Sequence, residues 1–259
     1  MVLEKVKMQV KKLVDTERKL LPRLGTRKLH FMIGPSLKEK GLKIGRDKLF
    51  KWLGEYGLLI RPKRRYTQTT NSKHWLRKYP NIVKDKQINE PEQVWVSDIT
   101  YIKTLEGNMY LSLVTDAFSR KIMGYHVEDN MEAQSVSKAL TMAKEQRLYP
   151  QCQLVHHSDR GLQYCSSEYV QIAAEGKIMM SMTENGDPYE NALAERMNRT
   201  LKEEFGLGGL LPSKQHTLRV VDEAVYLYNN RRPHLSLQMK TPQQVHKQKS
   251  RLPEATGTI

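Results

Sequence analysis

The sequence predicts an α/β protein: a mixed sheet with helices on its faces, preceded by a small all-α region that is strongly basic. Three observations carry that expectation. Charge is polarised along the chain, since residues 1–90 hold 24 Lys and Arg against 8 Asp and Glu (+16) while residues 91–259 hold 19 against 20 (−1). Apolar residues at helical spacing flank a glycine-rich break in the first part, and β-branched and aromatic runs alternate with helical runs in the second. With 259 residues and 39% hydrophobic content, there is enough chain for a core domain plus a smaller one.

In the basic region, Leu29, Ile33 and Leu37 form one helical run, Gly41 to Gly45 the break, and Leu49, Phe50 and Leu53 a second run. This is a helix-turn-helix pattern, although two amphipathic helices packed only on each other would show the same spacing. In a helix-turn-helix the second helix enters the major groove, which would bring Arg46, Lys48 and Lys51 to base edges. The stretch from Arg61 to Tyr66 adds Arg61, Lys63, Arg64 and Arg65, a basic linker suited to tracking phosphate without reading sequence. So basic a segment most often meets a polyanion, because each cation placed on a phosphate releases counterions; a basic face kept for solubility or another partner is the alternative. The expected division is a helix-turn-helix-like region at 1–60, a linker at 61–90, a core with C-terminal helices at 91–250 and a tail at 251–259.

From Pro91 the pattern changes. Gln93 to Thr104, Asn108 to Phe118 and Arg120 to Asp129 are strand-like runs with short connections, the first of them Glu-Gly-Asn, and they predict an antiparallel meander. Met131 to Arg147 has helical spacing, Gln151 to Asp159 is a short strand, and Ser166 to Gly176 is a helix stopped by its glycine. Lys177 to Thr183 is a fifth strand and Tyr189 to Glu204 the helix after it. The predicted order is therefore β-β-β-α-β-α-β-α around a five-stranded mixed sheet with helices on both faces.

Two cysteines, Cys152 and Cys165, belong to no paired motif and suggest neither disulfide nor zinc. His156 and His157 are adjacent on a strand and point to opposite faces, which also argues against a shared metal. The N-terminus lacks the pattern of a signal peptide, and no apolar run approaches the roughly 18 residues of a membrane span, so a soluble, intracellular protein is expected.

Three carboxylates fall where sheet-plus-helix architectures collect sites: Asp98 inside the first strand, Asp159 at the end of the fourth, and Glu195 on the helix after the fifth. An aspartate inside a run as apolar as "VWVSDITYI" is unfavourable unless something neutralises it. Clustered hard oxygen donors suit Mg²⁺ or Mn²⁺. On a helical wheel Asn191, Glu195, Asn198, Arg199 and Lys202 share one side of their helix, opposite Leu193, Met197 and Leu201.

The blocks "WVSDITYIKT", "HHSDRGLQYCSS" and "ENALAERMNRTLKEE" resemble those of a DDE transposase or integrase core, and within that superfamily the second-reading-frame transposases of the insertion-sequence-three family. The resemblance extends to Tyr226–Val245 and covers nearly the whole chain. The 35 residues between Asp159 and Glu195 (195 − 159 − 1) match the family's spacing, and Lys202 stands at its basic position seven residues after the glutamate. The resemblance implies an RNase H-like fold with Asp98, Asp159 and Glu195 as catalytic and metal-binding residues. It implies two Mg²⁺ or Mn²⁺ ions per site, about 4 Å apart, and cleavage of a phosphodiester by water followed by attack of the freed 3′-hydroxyl on another. Lys202, with Arg199, would meet the DNA end. Ser97 and Ser158 then read as hydrogen-bonding neighbours, Trp95 as core, Asp116 as paired with Arg120, and His234 as either structural or close to the DNA.

The implied partners are transposon ends and target DNA, further copies of the chain on that DNA, and a first-frame transposase protein or frameshift fusion, in the bacterial cytoplasm and without a membrane. The cysteine pair of the retroviral zinc module is absent. A catalytically silent DNA-binding regulator or inhibitor of transposition is the rival function, and an intact acidic trio argues against it.

Overall fold

A computed structural model describes residues 2–60, 78–184 and 191–248. The N-terminal part is a three-helix unit of α1 (Val2–Leu20), α2 (Thr26–Glu39) and α3 (Arg46–Glu55). Val10 and Val14 of α1, Leu29, Ile33 and Leu37 of α2, and Leu49, Trp52 and Leu53 of α3 close its core. Gly41, at φ +66°, ends α2, and the Leu42 N–H returns to the Leu37 carbonyl at 2.9 Å; Gly57 at φ +65° closes α3 in the same way. Only glycine takes that left-handed position at little cost. One expectation needs correcting: Phe50 is 54% exposed and Trp52 occupies the buried place. Leu49, Trp52 and Leu53 follow the i, i+3, i+4 stripe, from which Phe50 is displaced by 100°.

The core begins with β1 (Val94–Thr104), β2 (Gly107–Asp116) and β3 (Ile122–Glu128), an antiparallel meander as predicted. α4 (Ala133–Glu145) crosses to β4 (Leu154–Ser158), and α5 (Ser167–Glu175) to β5 (Ile178–Met182). Then come α6 (Ala192–Glu204), β6 (Leu210–Leu211), α7 (Lys214–Asn230) and α8 (Pro242–His246). The sheet order is β3-β2-β1-β4-β5, with β4 and β5 parallel to β1. A sixth strand, β6, pairs Leu210 with Lys103 at the far end of β1; two residues are too short to leave a pattern in the sequence.

Strand alternation divides the burial. Trp95, Val114 and Met123 pack with α4 and α5 on one face, while Ile102, Leu111 and Leu113 pack with α6 and α7 on the other, so helices cover both faces as expected. α4 approaches β3 at Gly124, where an added Cβ would stand 2.1 Å from the Ala139 carbonyl oxygen and 2.7 Å from the Ala143 nitrogen. Backbone cannot give way as a side chain can, so Gly124→Ala is expected to lower unfolding stability by about 3 kcal/mol. Urea denaturation checks this, and an unchanged midpoint contradicts the close packing.

Of the stretch read as linker, residues 78–90 run along the core: Tyr79, Val83 and Ile88 pack against its apolar clusters, and the Ile82 N–H donates to Ser181 Oγ at 3.1 Å. The three-helix unit also rests on the core. Leu227 of α7 is buried in the helical cluster, and Phe205 packs against it.

Candidate active site

β1 and β4 run parallel with Val94 beside Val155 and Val96 beside His157. Continuing that register two steps sets Asp98 opposite Asp159. Asp98 shares the face of Val94 and Val96, whose cluster includes Val155, Ala117 and Ala194 of α6, with Leu193 packed against it. The apolar seat of Leu193 and Ala194 therefore brings the next residue, Glu195, over the two aspartates. Local hydrogen bonds aim the aspartates. Asn198 Nδ2 donates to Asp98 Oδ2 at 2.8 Å and the Ile99 N–H to Asp98 Oδ1 at 2.9 Å, while the Gly161 N–H donates to Asp159 Oδ1 at 3.0 Å. Asn191 Nδ2 reaches the Ser97 carbonyl at 3.0 Å, a second tie between the start of α6 and β1.

The three carboxylates feel one another. Burial, then the Asp159 charge and to a lesser degree Glu195, push Asp98 up to about 7 against the opposing hydrogen bonds. Partial burial and Asp159 raise Glu195 as well. Such shifts mark carboxylates buried beside one another. The donors are hard oxygens, which suit Mg²⁺ or Mn²⁺. Among the described residues no three acidic, imidazole or thiol groups are closed around one point as a finished cage; the trio is coupled through space, with the oxygens of its two aspartates held by amide donors.

A stability consequence has a definite sign. Because the folded pKa of Asp98 lies above its ordinary 3.8, a protonated Asp98 favours the metal-free fold below pH 3.8, and that advantage is lost as pH rises to about 7. At pH 8, Asp98→Asn is therefore expected to stabilise the metal-free protein by up to about 4 kcal/mol. Thermal melts with chelator check this; equal melting temperatures for wild type and variant at pH 8 contradict it.

Lys202 lies two turns beyond Glu195 with its ammonium 4.3 Å from the Tyr101 ring centre; burial lowers its pKa, against the pull of Tyr101 and Asp98. Arg199 is exposed, its Nε donating to Glu203 at 2.9 Å. Lys48 and Lys51 are exposed on α3, Lys48 lying over the Trp52 ring at 5.1 Å, and Arg46 pairs with Asp47 at 2.9 Å. Arg46 stands about 140–160° around α3 from the two lysines, so one base-reading row does not hold all three as expected. Arg61, Lys63, Arg64 and Arg65 lie outside the described residues.

The neighbouring residues resolve into structural parts. Fully buried His156 meets Ser97 Oγ at 2.7 Å and Tyr169 OH at 2.8 Å through Nε2, and burial, then His157, pushes it down to about 3, which keeps it neutral. His157 hydrogen-bonds Ser181, and Ser158 Oγ donates to the Asp159 carbonyl. Asp116 departs from expectation: its carboxylate accepts from the Glu92 N–H and from Ser119, and only its carbonyl meets Arg120, through the backbone N–H. A tight turn after β2 leaves the Arg120 side chain elsewhere. His234 packs edge-on to Tyr228 beside Arg232, and burial first, then that guanidinium, pushes it down to about 2. Sequence reasoning missed Asn198 as the group that holds Asp98, although its place on the polar side of α6 was the available signal.

Two family models, both described as integrase core domain, match residues 88–188 and 176–242. With 18% identity and a TM-score of 0.54, the fold resembles a chain of the simian T-cell lymphotropic virus intasome in complex with PP2A regulatory subunit B56 gamma, over 90% of this chain and 79% of that one. Fold and family together define an RNase H-like, DDE-type polynucleotidyl transferase. The "Insertion element IS600 uncharacterized 31 kDa protein" of Shigella sonnei is 36% identical over 80% of this chain and 75% of its own length. The transposase for insertion sequence element IS904 of Lactococcus lactis is 32% identical over 69% and 73%. Transposase InsF for insertion sequence IS3A of Escherichia coli is 35% identical over 59% and 53%. The chain belongs to the IS3 family of insertion-sequence transposases, and its function is DNA transposition. Among the described residues no helix is long and apolar enough to cross a membrane.

Proposed function

We propose that Asp98, Asp159 and Glu195 form the catalytic trio of a metal-dependent transposase that cleaves an insertion-element end and joins the freed 3′-hydroxyl to target DNA. The observation that carries this is the convergence of the three carboxylates, Asp98 and Asp159 set side by side by the β1–β4 register and Glu195 held near them by the seat of α6; burial first, then Asp159, raises Asp98 to about 7. Two divalent cations, Mg²⁺ or Mn²⁺, held by these carboxylates would supply activation of the attacking oxygen and charge stabilisation at the leaving oxygen. The protein's own residues do the rest. Asn198 and the Ile99 N–H orient Asp98, and the Gly161 N–H orients Asp159. Lys202, held over Tyr101, meets a phosphate next to the reacting one, and Arg199 a phosphate further out. In the first reaction water oxygen bonds to phosphorus as the P–O3′ bond breaks; in the second the freed 3′ oxygen bonds to a target phosphorus as that P–O3′ bond breaks, each attacking oxygen losing its proton.

The rest of the chain serves that chemistry. Residues 1–60 bind duplex DNA with Lys48 and Lys51 outward, Arg61, Lys63, Arg64 and Arg65 in the linker track phosphate, 91–250 is the catalytic core onto which residues 78–90 pack, and 251–259 a tail. Activity in the bacterial cytoplasm would involve several copies on one DNA and a first-frame protein or fusion. The test incubates the full chain, alone and with that partner, with a labelled end-sequence duplex and Mg²⁺ or Mn²⁺. Cleaved and joined products are expected only with metal. Binding without either product in every combination would instead favour a silent regulator.

A further inference from the structure

A groove of about 870 Å³ lies between the three-helix unit and the core, at the end of α6 remote from the trio. Arg46, Phe50 and Gly54 of α3 line one wall with Arg23, Arg27 and Lys28, Asp47 standing there paired with Arg46, and Glu203, Glu204 and Leu235 line the other. The acidic wall is already compensated, since Arg199 pairs with Glu203, and Arg232 and Lys28 pair with Glu204. On α3 the positions 46, 50 and 54 form one stripe, turned away from Lys48 and Lys51. Phe50 presents an aromatic face that is 54% exposed.

We infer that this groove takes the unpaired end of a DNA strand, with Phe50 stacking on a base and Arg27 on its phosphates. The inference rests on the proposed DNA chemistry and goes beyond it by assigning a second DNA site. This volume lies in the range of about 300–1,000 Å³ that holds a small molecule or a few unstacked groups, too little to enclose a duplex segment. Cations beside an aromatic side chain are the combination that binds single strands without reading sequence. Glu195 and Glu204 are nine residues apart, about 13 Å along the helix. At the duplex rise of about 3.4 Å per nucleotide that distance is about four nucleotides, and an extended unpaired strand spans it in no more than that.

The experiment measures fluorescence polarisation of two labelled duplexes of one sequence, one blunt and one with a four-thymidine unpaired end, using the full chain. Wild type is expected to bind the tailed duplex about tenfold more tightly. Phe50→Ala should remove that preference, Phe50→Tyr should restore it, and Lys51→Gln should weaken both duplexes equally. Phe50 is exposed, so the variants keep their fold, which circular dichroism verifies. Equal wild-type binding of both duplexes, or equal weakening of both by Phe50→Ala, overturns the inference. Tail preference that survives in Asp159→Asn would support the groove even where the catalytic assignment fails, so the two fail separately.

Discussion

Asp159→Asn is expected to lower DNA cleavage and joining by roughly 10³-fold or more while leaving DNA affinity within about twofold, since it removes a several-kcal/mol source of transition-state charge stabilisation. The substitution suits the site. Asparagine has nearly the volume of aspartate, and its amide oxygen can still accept the Gly161 N–H that now donates to Asp159 Oδ1 at 3.0 Å. The turn after β4 therefore survives and only the negative charge goes. Relief of repulsion should also lower the Asp98 pKa from about 7, because Asp159 is the main charge raising it. Gel-based strand-transfer assays check the rate, and Asp98 carboxyl titration by carbon-13 resonance in metal-free protein checks the electrostatics. Joining by Asp159→Asn at near wild-type rate would remove the trio from the mechanism. Lys202→Gln, at the residue proposed to meet a neighbouring phosphate rather than the reacting atoms, should cost about tenfold.

How much of this was legible beforehand depends on the range over which each signal acts. The meander was readable because strand alternation and its turns are local, and Asp98 stood out because a carboxylate is foreign to an apolar strand. Asn198 sat on the polar side of α6 but its partner is 100 residues away, so nothing local pointed to Asp98. α1 went unread although Val6, Val10, Leu13 and Val14 keep helical spacing, because only Val10 and Val14 of that stripe are fully buried and no cap or turn residue marks where it starts. Glu204 looked like a solvated end of a helix, yet it holds Arg232 and Lys28, residues 28 and 176 positions away, at the seam between the three-helix unit and the core. Such long-range pairs leave no periodicity in the sequence.

The largest stability effect is expected at Glu92, which lies wholly buried just before β1. Its carboxylate accepts the Leu148 N–H at 2.7 Å, the Tyr149 N–H at 3.2 Å and Arg147 Nε at 3.1 Å, with His246 Nε2 at 3.3 Å. Its own N–H donates to Asp116, whose carboxylate is bonded to Ser119, and Ser119 Oγ meets His246 Nδ1 at 3.0 Å. One carboxylate thus joins the entry to β1, the end of β2, the chain after α4, and α8. Burial alone would raise Glu92, but hydrogen bonds from His246, Leu148, Arg147 and Tyr149 outweigh it and hold the group low. Burial would lower His246, but Asp116 and Glu92 outweigh it and raise it. Glu92→Ala leaves Arg147 buried without its anion and His246 with Asp116 alone, and is expected to cost about 3–5 kcal/mol, a fall of roughly 10 °C in Tm. Removing both partners in Glu92→Ala/Arg147→Met should cost less than the sum of the single changes, and that double-mutant cycle isolates the pair. The pH signs are opposite. Glu92 contributes above its ordinary 4.5 and loses that contribution as pH falls through its depressed value. His246 contributes below 6.5 and loses its share as pH rises through its raised value. Both act together between about pH 4.5 and 6.5, so the gap in Tm between wild type and Glu92→Ala should be widest there and narrow on either side. A gap that does not vary with pH would mean that packing, and not this charge network, holds α8 to the core.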